Sequence, residues 1–291
     1  MKDAAHQVLL FYGYLYIEAP EQVAAWLRGL AQKYSLLGRA LVAEEGINAT
    51  FEGTVDATEN FVAEFTKDAR FAGISIKRSA GEGKSFPKLS VKVRSEIVGT
   101  RFPKEVDPRA LTAPHLSAEE LKKWYDSGKD FVVVDMRNSY EFASGHFKNS
   151  IDPGLENSRD LPSAMEKLES LKDKTVLTVC TGGVRCEKMS AYLLHEGFSD
   201  VHQLDGGIHT YMEKYPGEDY EGTLYTFDQR MTMDFGGSRE VIGVCRLCQN
   251  KTERYVNCAN NTCHLHFLVC TTCVPMGEPA YCSEECKSPV M

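Results

Sequence analysis

The residues best suited to chemistry form one short loop between an apolar strand candidate, Thr175–Val179, and a helix candidate. The loop contains Cys180, Thr181, Gly182, Gly183, Val184, Arg185 and Cys186. Successive backbone N–H groups in such a loop form an anion-binding nest, and the following helix points the positive end of its dipole at the same place. Both stabilise a thiolate at Cys180, and Arg185 adds a cation that stays protonated. We predict that Cys180 and Arg185 are catalytic and that residues 181–184 bind an anion.

Other residues near this loop have competing interpretations. A buried, inert cysteine is the alternative for Cys180, but it would leave the two glycines and Arg185 without a purpose. Cys186 is either a resolving thiol that traps an oxidised Cys180 or a packing residue of the first helical turn. The buried-type polar residues upstream are predicted to hold loops rather than to do chemistry; they are Asp135, Arg137 and Glu141.

A second set of reactive residues lies in the tail, which contains eight of the ten cysteines. They form four short-spaced pairs: Cys245 with Cys248, Cys258 with Cys263, Cys270 with Cys273, and Cys282 with Cys286. Eight thiolates in this pattern suit two structural Zn²⁺ sites of four cysteines each. Sequential, cross-braced and nested pairings all remain open, and His264 or His266 could replace a cysteine. Disulfides, an iron–sulfur cluster and unmetallated thiols are the competing interpretations.

The elements that must position these residues fall into three predicted parts. Residues 1–105 alternate strands and helices in the order βαββαβ with an extra strand, which is typical of a ferredoxin-like (acylphosphatase-like) α+β domain. After a linker with three prolines, a capping box at Ser117 opens residues 115–216, whose short apolar strands alternate with helices as in a parallel α/β sheet. Residues 217–244 show little periodicity, and residues 240–291 form a small cysteine-rich tail that needs metal to fold.

Length and composition exclude several classes of protein. The chain has 291 residues, 43% of them hydrophobic and 25% charged, which matches an ordinary globular protein of two or three domains rather than a disordered one. No run of 18 apolar residues is present, and the first residues lack the apolar core of a signal peptide. We therefore expect a soluble, cytoplasmic protein with no membrane partner.

A basic segment interrupts an otherwise acidic chain of net charge −8. Between Ser75 and Lys104, eight cations and two anions give a net charge of +6, so the remainder has −14. Such a patch could bind phosphates, although a solvated basic sheet edge is equally compatible. The predicted RNA-binding residues are Lys84, Lys88, Lys92 and Arg94. Tyr12, Tyr14 and Tyr16 share a strand face and either stack bases or pack against a neighbouring element.

The thiol loop and its flanks resemble a rhodanese domain over about residues 115–216. The resemblance includes Asp135, Arg137, Glu141 and the Gly206-Gly207 pair around a loop with four residues between Cys180 and Arg185. In this superfamily a four-residue spacing is typical of sulfurtransferases, whereas the related cysteine phosphatases have five. A phosphatase is therefore disfavoured.

The whole chain, from about Val8 to Cys286, resembles the rhodanese-domain tRNA uridine hydroxylases. The motifs that carry this resemblance are Glu44-Glu-Gly-Ile-Asn-Ala-Thr50, Phe86-Pro-Lys-Leu-Ser-Val-Lys-Val-Arg94, the thiol loop through Lys188, and the cysteine-rich tail. It implies oxygen-dependent conversion of the wobble uridine in the tRNA anticodon stem-loop to 5-hydroxyuridine, with the loop cysteine essential and molecular oxygen as co-substrate. No flavin, haem or two-His-one-carboxylate signature is present in the sequence.

Two other functions remain open at this point. The first is a rhodanese-type sulfurtransferase that carries a persulfide on Cys180. The second is a zinc-dependent RNA-binding adaptor without catalytic activity, which predicts that Cys180 is dispensable while the tail cysteines are essential. For the hydroxylase, addition of the Cys180 thiolate to C6 of uracil would make C5 nucleophilic toward an oxygen donor.

Overall fold

The computed structural model describes residues 5–236 and 240–287, so the outermost residues of the predicted end domains, 1–4 and 288–291, lie outside the described residues. Up to residue 93 the elements are β1 (His6–Tyr14), α1 (Pro20–Lys33), β2 (Leu37–Ala43), β3 (Gly46–Thr54), α2 (Val55–Phe65), β4 (Ile76–Gly81) and β5 (Leu89–Val93). The middle of the chain contains β6 (His115–Leu116), α3 (Ala118–Ser127), β7 (Val132–Asp135), α4 (Ser139–Phe142), β8 (Gly145–Phe147), α5 (Leu161–Leu168), β9 (Thr175–Val179), α6 (Val184–His195), β10 (Asp200–Leu204) and α7 (Gly207–Lys214). The last elements are β11 (Tyr220–Gly222), β12 (Leu224–Tyr225), β13 (Thr232–Met233), β14 (Tyr255–Asn257), β15 (His266–Leu268) and α8 (Glu284–Lys287).

These elements form two compact units. The first comprises the described residues up to Ala113 together with Val184–Glu196 and Asp228–Arg230. The second comprises Pro114–Gly183, Gly197–Phe227 and the described residues from Met231 onward. Helix α6 therefore belongs to the first unit, although its sequence lies between two strands of the second. No helix in the described part of the chain is both long and apolar enough to span a membrane.

The first unit is built on a five-stranded sheet in the order β4-β1-β3-β2-β5. Neighbouring strands are antiparallel except for the parallel pair β2 and β5. Helices α1 and α2 contribute to the apolar core beneath this sheet, where aromatic rings such as Phe11, Phe61 and Phe65 pack together. The predicted α+β fold with an extra strand is confirmed.

Element boundaries differ from the predicted ones where side chains intervene. The sequence suits a helix over Thr58–Asp68, but α2 begins at Val55 because the Thr54 side chain caps it by accepting the Ala57 N–H. The sequence also predicts a strand over Leu89–Val98, but β5 ends at Val93. Beyond it, Ile97 donates its N–H to the Glu45 carboxylate at 2.7 Å instead of to a neighbouring strand.

Gly46 is required by the close pairing of β1 and β3. Its φ of +148° lies in a region that L side chains rarely adopt, and a Cβ there would sit 2.0 Å from the carbonyl oxygen of Gly13. This close approach explains why the Glu44–Thr50 segment has a glycine at residue 46. The preceding residue, Glu45, accepts the Ile97 N–H.

The second unit contains a parallel sheet in the order β6-β10-β9-β7. The predicted capping box opens α3, with Ser117 and Glu120 exchanging hydrogen bonds. Asp135 ends β7 opposite Val179, the last residue of β9, so both strands deliver their next residues to the same edge of the sheet. In the segment 217–244, which shows little periodicity, the described residues form the short strands β11, β12 and β13. The tail is organised around the hairpin of β14 and β15. The predicted parallel α/β sheet is confirmed.

Candidate active site and metal centres

The thiol loop lies between the end of β9 and the start of α6, as the sequence predicts. Cys180 is the first residue after the buried strand, and α6 begins at Val184. Gly183 has a φ of +103° and donates its backbone N–H to Cys180 Sγ at 3.2 Å. An amide aimed at sulfur stabilises the thiolate more than the thiol, so the loop has the electrostatics of a reactive cysteine site.

The start of α7 holds this loop from the other side. Ile208 donates its N–H to the carbonyl of Cys180 at 2.9 Å, and His209 donates to the carbonyl of Thr181 at 3.0 Å. The approach depends on Gly207, because a Cβ at this residue would lie 2.5 Å from the Cys180 carbonyl oxygen and 2.7 Å from the Gly183 nitrogen. In the sequence, the Gly206-Gly207 pair is part of the resemblance to a rhodanese domain. Two adjacent glycines are also the sequence feature that indicates such a close backbone approach.

Burial separates the members of the loop. Cys180 and Cys186 are both fully buried, and Arg185 is buried on the first turn of α6. Thr181 is half-buried, and Gly182 and Gly183 are buried. The Cys180 side chain is therefore not accessible to solvent in this conformation of the loop.

Upstream of the loop, Arg137 and Asp135 form a buried ion pair. Both residues are inaccessible, and the guanidinium donates to the carboxylate through Nε at 2.9 Å and Nη2 at 2.6 Å. It also donates to the Gly145 carbonyl at 2.6 Å. Burial by itself would lower the pKa of Arg137, but the charge and hydrogen bonds of Asp135, together with the nearby Tyr220 and Glu141, outweigh it and hold the pKa well above its ordinary value. The pair ties the end of β7 to β8, which is the loop-holding role that the sequence predicts.

Helix α6 is held within the first unit by a buried cation. Lys188 is 3% exposed, and its Nζ lies 2.7 Å from Glu45 Oε2 and 2.8 Å from Glu96 Oε1. Burial by itself would raise the pKa of Glu96, but hydrogen bonds from Lys188, the Arg101 N–H and Thr100 outweigh it and leave the pKa below its ordinary value. Glu45 and Lys188 belong to separate sequence motifs. Because they are 143 positions apart, no local sequence pattern predicts that they form an ion pair.

Two tyrosines of β1 contact helix α6, and a third, just beyond the strand, is exposed. Tyr12 donates its hydroxyl to Glu187 Oε1 at 3.1 Å, and Tyr14 donates to the Val184 carbonyl at the same distance. Both therefore pack against α6, which is the second of the two roles open from the sequence. Tyr16, beyond the end of β1, is 59% exposed.

The predicted RNA-binding cations are all exposed, and three of them follow one edge strand. Lys88 precedes β5, Lys92 lies within it, and Arg94 follows it, while β5 is at the edge of the five-stranded sheet. Lys84 lies in the preceding turn, 3.2 Å from Glu82.

That turn is shaped by Glu52, a buried carboxylate that the sequence did not reveal. It accepts the N–H groups of Glu82, Gly83 and Ser85 and the Ser85 hydroxyl at distances from 2.7 to 3.0 Å. The Glu52 carboxylate is therefore satisfied by four donors, and it fixes the conformation that presents Lys84.

The eight tail cysteines assemble into two interleaved clusters. One contains Cys245, Cys248, Cys270 and Cys273, and the other contains Cys258, Cys263, Cys282 and Cys286, with the sulfur atoms of each set within 4.8 Å of one another. The first and third pairs thus share one cluster, and the second and fourth share the other. This is the cross-braced arrangement, one of the three left open by the sequence. All ten cysteines are free, so the disulfide interpretation is wrong.

The spacing of the sulfur atoms fits a tetrahedral ion. Neighbouring Sγ atoms lie 3.6 Å apart for Cys248 and Cys270 and 3.5 Å apart for Cys282 and Cys286. With Zn–S bonds of about 2.3 Å, the edge of a tetrahedron is about 3.8 Å. His266 is turned to other partners, since its ring nitrogens contact Asn257 Oδ1 and the Tyr225 hydroxyl.

Backbone amides support a thiolate in each cluster. Burial would raise the pKa of Cys245, but N–H groups of Cys270, Leu247 and Cys248 outweigh it and lower the pKa to about 6. In the other cluster, the N–H groups of Cys282 and Asn260 likewise outweigh burial and lower the pKa of Cys258 to about 7. These N–H groups therefore favour the thiolate at one cysteine of each cluster, whereas hydrogen bonds to neighbouring cysteines together with burial raise the pKa of Cys273 and Cys282 to about 12.

Three family models match the chain in succession. Residues 6–97 match the UPF0176 acylphosphatase-like domain, residues 117–214 match the rhodanese-like domain, and residues 221–287 match the rhodanase C-terminal region. The fold and the thiol loop therefore place the chain among proteins that combine an acylphosphatase-like domain with a rhodanese domain.

Curated relatives cover nearly the whole chain. The tRNA uridine(34) hydroxylase of Cytophaga hutchinsonii is 41% identical over 99% of this chain and 91% of its own length. Those of Arthrobacter sp. and Corynebacterium kroppenstedtii are each 40% identical, over 98% and 96% of this chain and 100% and 97% of their own lengths. The chain belongs to the tRNA uridine(34) hydroxylase family, a family of tRNA-modifying enzymes.

Proposed function

We propose that this protein hydroxylates uridine 34, the wobble base of the tRNA anticodon stem-loop, to 5-hydroxyuridine, with Cys180 as the catalytic thiolate and molecular oxygen as co-substrate. The relatives of matching length are named tRNA uridine(34) hydroxylase. The structural observation that carries the proposal is the Gly183 N–H aimed at Cys180 Sγ, in a loop that α7 holds in place.

The proposed chemistry begins with addition of the Cys180 thiolate to C6 of the uracil ring. This addition converts C5 and the C4 carbonyl into an enolate, whose negative charge Arg185 and the loop amides of residues 181–184 stabilise. The C5 carbon takes one oxygen atom from O₂. Loss of the C5 proton and departure of the thiolate from C6 then restore the double bond. The second oxygen atom leaves as water, with two electrons and two protons from an external donor. Cys186 is the proposed resolving thiol for an oxidised Cys180.

The proposed tRNA contact is the exposed basic edge around β5. Lys84, Lys88, Lys92 and Arg94 are exposed, and the last three follow a single strand, which suits contact with successive phosphates of one RNA strand. The proposed location is the cytoplasm, because tRNA is the proposed substrate. The three sequence ranges 1–105, 115–216 and 240–291 are proposed to act as an RNA-contacting domain, a catalytic domain and a metal-binding tail.

Zinc is the proposed metal of the tail. The first cluster, with Cys245, and the second, with Cys258, would each hold one ion through four thiolates, a closed set typical of structural rather than catalytic zinc. When bound, the ions supply folding energy to a segment in which four of the eight buried core residues are cysteines.

The test is nucleoside mass spectrometry of unmodified tRNA incubated in air with the purified, metal-replete protein and an electron donor. We expect a gain of one oxygen atom on uridine 34 with the natural chain and none with Cys180→Ala. A Cys186→Ser variant is the matched control, because it also removes a buried thiol of this segment, and it should still complete a first turnover. An undiminished gain with Cys180→Ala would contradict the thiolate mechanism. Persulfide transfer from Cys180 without any gain of oxygen would instead identify a sulfurtransferase.

A further inference from the structure

The second unit contains a path of contacts from the cysteine-rich tail to the thiol loop, through the short helix α4. We propose that the tail is a positioning element for Cys180, so that loading of the tail with metal sets how tightly the thiol loop is closed. The inference rests on the proposed role of Cys180 as the reactive thiol.

The first step of the path joins the tail hairpin to α4. Tyr255 of β14 donates its hydroxyl to the backbone carbonyl of Tyr140 in α4. The Tyr255 ring stacks on His266 of β15 with centroids 5.0 Å apart, and the Tyr140 ring meets the same imidazole edge-on at 5.1 Å. His266 of β15 therefore contacts α4 through its ring, and Tyr255 of β14 holds the α4 backbone through its hydroxyl.

One cysteine of each cluster lies next to an end of this hairpin. Cys258 of the second cluster directly follows β14, and Cys270 of the first cluster lies two residues beyond β15. The hairpin itself pairs Tyr255 with Leu268 and Asn257 with His266. Because the core around it is small and four of its eight buried residues are cysteines, loss of the ions should weaken the packing that keeps β14 and β15 in register.

The last step of the path joins α4 to the thiol loop. Glu141 follows Tyr140 in α4 and is fully buried. Its Oε1 accepts the Asn138 N–H at 3.0 Å, and its Oε2 accepts the hydroxyl of Thr181, the residue after Cys180, at 3.4 Å. A hydroxyl contact of 3.4 Å is at the weak end for a hydrogen bond, so a small displacement of α4 is enough to break it.

This arrangement makes Glu141 and Tyr255 positioning residues rather than catalytic ones. Cys180 is fully buried, so the loop must open before the thiol reacts. With α4 held by the metal-loaded tail, the Thr181 contact favours the closed loop. With α4 released, the closed loop loses that contact, and the thiol becomes more accessible to small reagents.

The experiment measures alkylation of Cys180 by iodoacetamide in the full chain without tRNA, with the Cys180 peptide quantified by mass spectrometry. We expect Tyr255→Phe, which keeps the ring and removes the hydroxyl, to speed alkylation about tenfold, as the loss of one hydrogen bond allows. Removal of metal from the natural chain by a chelator should have an effect of similar size. The matched control is Tyr281→Phe, a change of the same kind at a residue that packs within the tail's own core, and it should stay within about twofold of the natural rate.

A further variant keeps the result interpretable if Tyr255→Phe loses metal. Thr181→Val removes the hydroxyl at the other end of the path. In this variant, metal removal should change the rate of Cys180 alkylation by less than about twofold. An unchanged Cys180 rate after metal removal from the natural chain, or equal acceleration in the two tyrosine variants, would overturn the proposal. The alkylation experiment contains no tRNA. If metal removal speeds Cys180 alkylation as expected but the hydroxylation assay fails, the result therefore counts against the proposed function alone.

Discussion

Replacing Lys188 by methionine tests how helix α6 is held in the first unit. The substitution keeps the length of the side chain but removes the cation that lies 2.7 Å from Glu45 and 2.8 Å from Glu96. Breaking a buried ion pair from one side costs about 3–5 kcal/mol, because the remaining charge is left uncompensated. The two carboxylates are 18% and 20% exposed, which allows partial solvation and favours the lower end, about 3 kcal/mol.

The assay is thermal and urea unfolding of Lys188→Met beside Lys188→Met/Glu96→Gln. For a unit of this size, a loss of about 3 kcal/mol lowers the melting temperature by about 10 °C. The double variant removes one orphaned charge while glutamine can still accept a hydrogen bond, so it should regain at least half of the loss. A melting temperature within about 2 °C of the natural chain, or no recovery in the double variant, would refute the reasoning.

The pH dependence of this variant has a definite sign. In the natural chain the pKa of Glu96 is below its ordinary value, so its contribution to stability is present above about pH 5 and is lost as the pH falls through the folded pKa. Without Lys188, the pKa of Glu96 loses its largest lowering influence and rises, so the variant loses less stability than the natural chain as the pH falls. The gap in melting temperature between natural and variant chains should therefore narrow from pH 7 to about pH 4.

Three further outcomes are expected from single substitutions. Cys248→Ser should reduce bound zinc from two ions per chain to one by elemental analysis, whereas His264→Asn should retain both; retention of two ions by Cys248→Ser would contradict the four-thiolate cluster. Lys92→Ala should weaken tRNA binding and reduce the slope of log affinity against log salt by about 1, and an unchanged slope would remove this residue from the interface. Asp135→Asn should cost about 3–5 kcal/mol in urea unfolding because it leaves the buried Arg137 guanidinium uncompensated, and a loss below about 1 kcal/mol would contradict that role.

The elements that sequence predicted well are those defined by local pattern. Strand β9 has its predicted bounds, and the capping box at Ser117 opens α3 as expected, because apolar runs and cap residues act within a few positions of the chain. The end of β5 was misplaced because a distant carboxylate, Glu45, takes the N–H of Ile97. A boundary of this kind is set by a partner 52 residues away and leaves no local trace.

The site shows the same division between local and distant information. The order of residue types from Cys180 to Arg185 was sufficient to predict a thiol loop between a strand and a helix, since β9, the loop and α6 come from one continuous segment. The sequence did not reveal that the Gly207 backbone closes against this loop, that Lys188 meets two glutamates, or that Glu52 shapes the turn with Lys84.

Residue types and short spacings were enough to indicate which side chains are capable of chemistry: a thiol in a glycine loop, four cysteine pairs with metal-ligand spacing, and a basic strand. The folded chain was needed to show that the cysteine pairs interleave, that Cys180 and Cys186 are fully buried, and that helix α6 belongs to the first unit. Those outcomes depend on strand register and on which distant surfaces exclude water together, and both arise only when the folded chain brings remote segments into contact.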